Sequence, residues 1–304
     1  MKISSSIFTI LFICLVLIAN GQGVAINNDG SPADASAILD VKSTTKGVLI
    51  PRLTNVQRDA IASPVAGLLI FNTDQQGLQM FDGTIWSTYM PSWECGNNLI
   101  DSRDGKAYST VQIGTKCWMS ENLNIGTRID GPIDQSNNSM IEKYCYDDSE
   151  TNCNTYGGLY LWGEMMQYVT TEGTQGICPT GWYLPTDDEW KTMETCLGMS
   201  QSEADATNWR GTDEGGKMKE AGTSHWDSPN TGATNSSGFT ALPGGWRSYY
   251  NGSFVEFSTH GHWWSSTEFS DNDAWYRRLY YDYSQVNRNL FSKMNGRSVR
   301  CIKN

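Results

Sequence analysis

Residues 178–190 read CPTGWYLPTDDEW and set three carboxylates side by side, Asp187, Asp188 and Glu189. Adjacent carboxylates suit two chemistries. One is proton transfer, with a neighbouring acid and base held in different protonation states. The other is calcium binding, which gathers several oxygen ligands around one ion. A third reading needs no chemistry. Thr186 followed three places on by Glu189 is a capping box, and Pro185 with Trp190 offers a hydrophobic staple. Carboxylates in a first turn favour the positive end of the helix dipole by ~0.3–1 kcal/mol each. Trp190, Met193 and Leu197 then share one helical face. No His or Cys completes a metal set, so the stretch is expected to start a helix.

Other residues bear on chemistry. Oxygen ligands for calcium cluster at Glu268, Asp271, Asn272 and Asp273, and at Asp147, Asp148 and Glu150. The competing reading of both clusters is solvated turns. His260 and His262 share a face if their segment is extended. Two histidines suit a metal, but polar strand residues beside buried tryptophans explain them as well. No Gly-x-Ser-x-Gly, His-Glu-x-x-His or phosphate loop is present. Aromatic residues concentrate in the C-terminal third. Trp246, Tyr249, Tyr250, Trp275 and Tyr276 are the candidate ligand-binding rings, and most aromatics there are expected to fill the core. Arg277 and Arg278 point to opposite faces of a strand, so at least one must pair or reach solvent.

These residues need a scaffold, and the 304-residue chain is long enough for two domains. It opens with an apolar run, Ile7 to Ala19, followed by small residues, which reads as a signal peptide over residues 1–21. Cys14 follows Ile13, where a lipoprotein signal wants a small residue, and is read as part of that signal. The mature chain is expected to leave the cytoplasm, secreted or on the outer cell surface. The formal charge of −11, with no Lys/Arg cluster, leaves no footprint for nucleic acid and no polybasic patch for a membrane.

Seven cysteines follow the signal, and export favours their oxidation. Cys145 and Cys153 flank a short polar loop. Cys95 and Cys117 flank an expected hairpin. We pair Cys178 with Cys301 and leave Cys196 free, an odd count requiring one such thiol.

Residues 22–90 read as a small β-rich unit. GVAINNDG, AILDVKST and KGVLIPRL are expected strands, Thr54 caps a short helix, and a turn at 82–84 separates hairpin strands. Its modest core calls for a partner chain to bury its apolar faces. From Cys95 the texture changes to Gly, Trp and Tyr. A hairpin is expected to turn at Gly114, another at Asn251–Gly252, and GHWWSSTE, DAWYRRLYYDYSQVNRNLFS and GRSVRCIKN supply further strands.

CPTGWYLPTDDEW, SGFTALPGGWR, WWSSTE and SVRCIKN together resemble the Fibrobacter succinogenes major paralogous domain over residues 95–304. KCWMSENLN and TYGGLYLWGEMM fit the same family. The resemblance implies an α+β, C-type lectin-like fold: a twisted antiparallel sheet, few short helices and long loops. It implies chain ends brought together by the last strand, which suits a Cys178–Cys301 bond. It places Glu268, Asn272 and Asp273 in a loop where C-type lectins keep part of a calcium site, although the sugar-binding signatures of such lectins are missing. The family is also similar to formylglycine-generating enzymes, whose chemistry needs two nearby cysteines late in the chain. Here only Cys301 lies beyond residue 196. Residues 22–90 resemble a segment common on exported Bacteroidetes surface proteins. The expected role is therefore a non-catalytic binding or adhesion module for an extracellular glycan or protein. No cofactor is required, with calcium held open, and residues 22–90 are expected to form a homo-oligomer. A formylglycine-generating-type enzyme and a structural display protein are the alternatives.

Overall fold

The computed structural model describes residues 23–89 and 94–304. The expected signal peptide lies outside them. The chain divides between residues 92 and 93 into two compact units.

In the first unit, β1 (Val24–Ile26) pairs in parallel with β2 (Leu39–Val41). A four-stranded sheet follows in the order β3 (Arg52–Leu53), β4 (Leu69–Asn72), β5 (Gly77–Phe81), β6 (Trp86–Tyr89). Thr54 caps the helix Asn55–Asp59, and Gln57 completes the capping box. Asp82 accepts from the amides of Thr84 and Ile85 and closes the β5–β6 turn. KGVLIPRL is extended into a strand only at Arg52–Leu53, because no strand among the described residues pairs with residues 48–50. The core is thin: Ile70 is buried beside Asn72 and Gln79, which bond to each other at 2.9 Å. Val24, Ile26, Ile38, Leu39, Val48 and Leu49 are each more than half exposed.

The second unit is sheet-rich with short helices, an α+β arrangement. Two-residue strands form small pairs: β7 (Leu99–Ile100) with β8 (Ala107–Tyr108), β11 (Thr127–Arg128) with β12 (Glu142–Lys143), and β14 (Trp246–Arg247) with β15 (Phe254–Val255). A three-stranded sheet runs β19 (Ile302–Lys303), β10 (Lys116–Met119), β9 (Thr110–Ile113), and Gly114 turns the β9–β10 hairpin at φ +62°. A Cβ at Gly114 would come within 2.6 Å of the sulfur of exposed Cys196, which would have to shift, and the positive φ itself favours glycine. The largest sheet is antiparallel, in the order β13 (Asn208–Arg210), β18 (Val286–Ser292), β17 (Asp273–Tyr280), β16 (His260–Glu268).

Two large apolar clusters and a small one around Tyr144, Leu159 and Leu161 fill this unit. Trp118, Trp190, Phe239 and Trp263 pack with Met193, Leu279 and Ile302. The rings of Trp118 and Trp190 lie 4.9 Å apart. The second cluster joins Met119, Leu123, Tyr160, Trp162, Trp264 and Tyr276 around the Cys178–Cys301 disulfide. Cys95–Cys117 and Cys145–Cys153 are the other disulfides, and Cys196 is free and exposed. The helix Asp187–Cys196 buries Trp190 and Met193, with Leu197 packed partly against the same cluster. No helix among the described residues is long and apolar enough to cross a membrane.

Candidate functional site

The three carboxylates of the opening stretch separate into three environments. Glu189 closes the capping box: the Glu189 amide donates to Thr186 Oγ1, and the Thr186 amide donates to Glu189 Oε2 at 3.0 Å. Asp188 is exposed and pairs with Lys191 at 2.8 Å. Asp187 is buried and accepts from Arg277 Nη1 at 2.7 Å and from Arg288 Nη2 at 2.7 Å. Burial pushes its carboxyl up, but the two guanidiniums overcome this and hold it at about 2. Arg277 also reaches Glu194 at 2.6 Å, and Arg210 meets the other oxygen of Glu194 at 2.7 Å. The acidic run is therefore one helix start whose first residue anchors a buried ion network. All three carboxylates are engaged structurally, and none is poised against a second carboxylate.

The loop carrying Glu268, Asp271, Asn272 and Asp273 is organised by an ammonium. Lys293 Nζ donates to Glu268 Oε2 at 2.8 Å and to the carbonyls of Ser270 and Asp271, and it lies 4.4 Å from the Trp162 ring centroid. In the other acidic loop, Lys143 pairs with Glu150 and Arg128 with Asp148. Among the described residues, no group of three or more His, Cys, Asp or Glu side chains could hold a metal ion.

His262 forms part of a buried hydrogen-bonded chain. Arg297 is fully buried, with the rings of Tyr276, Phe291 and Trp264 at 4.0, 4.5 and 5.1 Å. Its Nη1 donates to His262 Nδ1, which must therefore be unprotonated. His262 Nε2 then donates to Glu256 Oε2 at 2.8 Å. Burial first, and Arg297 next, push His262 well below the usual imidazole range. Burial likewise pushes His260 down to about 4, and its ring stacks on Tyr280 at 4.4 Å.

The candidate rings end in different places. Tyr276 is corrected: it is 3% exposed, because β17 is an inner strand and its alternation turns Tyr276 into the core beside Trp264 and Phe291. Trp246 is half-buried, with Nε1 donating to Glu256. Trp275 is half-buried, its face covered by Arg288 at 3.6 Å. Tyr249 and Tyr250 alone remain outside, 41% and 82% exposed, their rings stacked at 4.1 Å. They sit on the β14–β15 hairpin. Its turn is held by the Ser248 amide donating to Ser253 O, with Gly252 at φ +70°. Arg247 locks the base: it is 1% exposed and donates to Gly131 O and to Asp134.

A polar cleft of about 250 Å³ is lined by Lys106, Tyr108, Glu121, Asn122, Asn124 and Thr155, among others. Its polar side chains are already committed. Asn124 bonds to Cys153 O and Lys143, Asn122 to Tyr156 O and Arg300, and Lys106 to Asn124 O. The sequence reading missed the Asp187–Glu194 network and the hydrogen-bonded chain at Arg297. Only the Arg277–Arg278 pair signalled either of them.

A family model described as the Fibrobacter succinogenes major domain matches residues 111–303, more than half of the chain. A second, described as a phage tail like trimerisation region, matches residues 25–102. No curated protein and no solved structure gives a significant match.

Proposed function

We propose that this chain, which belongs to the Fibrobacter succinogenes major domain family, is an exported, non-catalytic binding protein that contacts an extracellular glycan or protein through a C-type lectin-like second unit. One observation carries the reading. Tyr250 is 82% exposed and stacked on Tyr249, on a hairpin whose base is fixed by a buried arginine. Aromatic rings contribute most when buried, yet this pair adds nothing to the core and is held in a fixed pose. Stacked, solvent-facing tyrosines suit the C–H face of a sugar or an apolar side chain of a partner. The same reading needs no metal, since Lys293 supplies the positive charge of the acidic loop. It needs no cysteine chemistry either: Cys301 is bonded to Cys178, and Cys196 is apart from that bond.

The test is a glycan array with the mature protein, with and without chelator. Binding is expected to persist in chelator. A Tyr249→Ala/Tyr250→Ala variant is expected to lose at least about tenfold in affinity, as stacking on aromatic side chains is worth roughly 1 kcal/mol or more. Its melting temperature should match that of the wild type. Unchanged binding by this variant would defeat the reading.

The first unit supports an assembly role beside it. Nine of its described apolar side chains are more than half exposed, Val56, Val65 and Ile85 among them, and the trimerisation-region match covers it. Exposure on that scale suits burial between copies. Light scattering of the mature protein is expected to give three times the chain mass, and one chain mass after removal of residues 22–90. A monomer in both forms would refute the assembly role and leave the binding role standing.

A further inference from the structure

We propose that a partly exposed patch around Arg278, on the face of the four-stranded sheet that packs Trp264 and Tyr276 into the core further along, binds a carboxylate-bearing sugar of an acidic polysaccharide. Strand register builds the site. Arg278 on β17 pairs with Asn287 on β18, and Asn287 pairs with Trp209 on β13, so these three side chains share one face. On β16, His260 pairs with Tyr280 and extends that face. The Arg278 guanidinium reaches across Asn287 to the Trp209 ring, 5.0 Å from its centroid. Tyr283 meets Trp209 edge-on at 4.8 Å and Tyr280 at 5.2 Å. Tyr283 is 42% exposed, and Trp209, Arg278 and Tyr280 are partly so.

Charge points to the ligand. The chain carries a formal charge of −11, and its second unit pairs its arginines closely. Arg103, Arg128, Arg210, Arg247, Arg277 and Arg288 each hold a carboxylate. Arg297 and Arg300 are fully buried among rings. Among the described residues of this unit, Arg278 is the one surface arginine without a carboxylate. The nearby Glu256 is taken by His262 and Trp246.

A second observation is independent of charge. Arg278 Nε and Asn287 Oδ1 are buried with no hydrogen-bond partner, and Asn287 is only 2% exposed. Native structures leave few such groups, because each costs free energy. Here the orphans coincide with the unpaired guanidinium and its ring of aromatics.

A guanidinium fork matches a carboxylate in shape and charge. Trp209, Tyr280 and Tyr283 beside it offer ring surface to the C–H groups of a pyranose. Asn208 and Asn289, bonded to each other at 3.1 Å on the flank, offer amides for hydroxyls. An acidic peptide would use the fork and leave the rings idle. The site is carried by β13, β17 and β18 and does not depend on the Tyr249–Tyr250 pair.

The mature protein is tested on immobilised polygalacturonate, alginate and hyaluronate. Their carboxyl-reduced counterparts and poly-L-glutamate serve as controls. Binding to at least one acidic polymer is expected, weakened by salt and poor on its reduced form. Arg278→Ala should lower affinity by about tenfold to a hundredfold, as expected for losing charge-assisted hydrogen bonds. Arg278→Lys should recover part of it. Binding to none of the polymers, equal binding to the reduced forms, or no effect at Arg278 overturns the proposal. Poly-L-glutamate bound as well as the sugars would assign the face to acidic peptides and overturn it too.

Discussion

Glu194→Ala is expected to destabilise the second unit by about 3–5 kcal/mol, the usual cost of removing one partner from a buried ion pair. Glu194 is 0% exposed and is the carboxylate shared by Arg277 Nε and Arg210 Nη2. Its loss leaves Arg210, 4% exposed, with only the Met199 sulfur at 3.3 Å, while Arg210 Nε already lacks a partner. Arg277 keeps Asp187 and is affected less. Replacing Glu194 and Arg210 together by methionine should recover much of the loss, since a packed apolar pair removes the unpaired charge. Urea unfolding of the three proteins measures this. A single-variant cost below about 1 kcal/mol would show that the network does not hold the helix Asp187–Cys196 to the sheet.

Replacing Cys178 and Cys301 by serine is expected to cost about 4–5 kcal/mol in the chain-entropy account, because the bond closes a separation of 123 residues. The Cys145–Cys153 bond spans 8 residues, and its removal should cost nearer 2–3 kcal/mol. The ordering is the sharper prediction. Cys178 and Cys301 are both 0% exposed within the Trp264–Tyr276 cluster, so the double serine variant also leaves two hydroxyls in an apolar core. Thermal melts of the two double variants decide it. Equal costs, or a larger cost for the short loop, would mean that loop closure is not what the long bond contributes.

How far the fold could be read in advance differs from element to element. The start of the helix Asp187–Cys196 was legible because capping is settled within four residues, Thr186 to Glu189. The turns at Gly114 and Asn251–Gly252 were legible for the same reason. KGVLIPRL looked like a strand, but a strand needs a partner, and among the described residues only Arg52–Leu53 finds one. The short helices Gln201–Asp205 and Glu214–Met218 carried too few residues to show a period.

The candidate site was legible in part. Tyr249 and Tyr250 could be named as candidate outward rings, but so could Tyr276, and nothing local distinguishes them. The acidic loop at Glu268 looked open to a cation, and the lysine that meets it lies 25 residues away, at Lys293.

From the amino-acid sequence alone came the family likeness, the two-unit division of the chain, the pattern of cysteines and the capped helix. Each rests on neighbours along the chain or on residue order. The tertiary structure alone decided which charges are buried and which are free. Arg277 and Arg278 are adjacent and identical in chemistry. One faces the helix that brings Asp187, ninety residues away, and the other lies over the Trp209 ring on the opposite face of the strand. A side chain's partner across such a distance is set by how sheet and helix pack, and no local pattern records it.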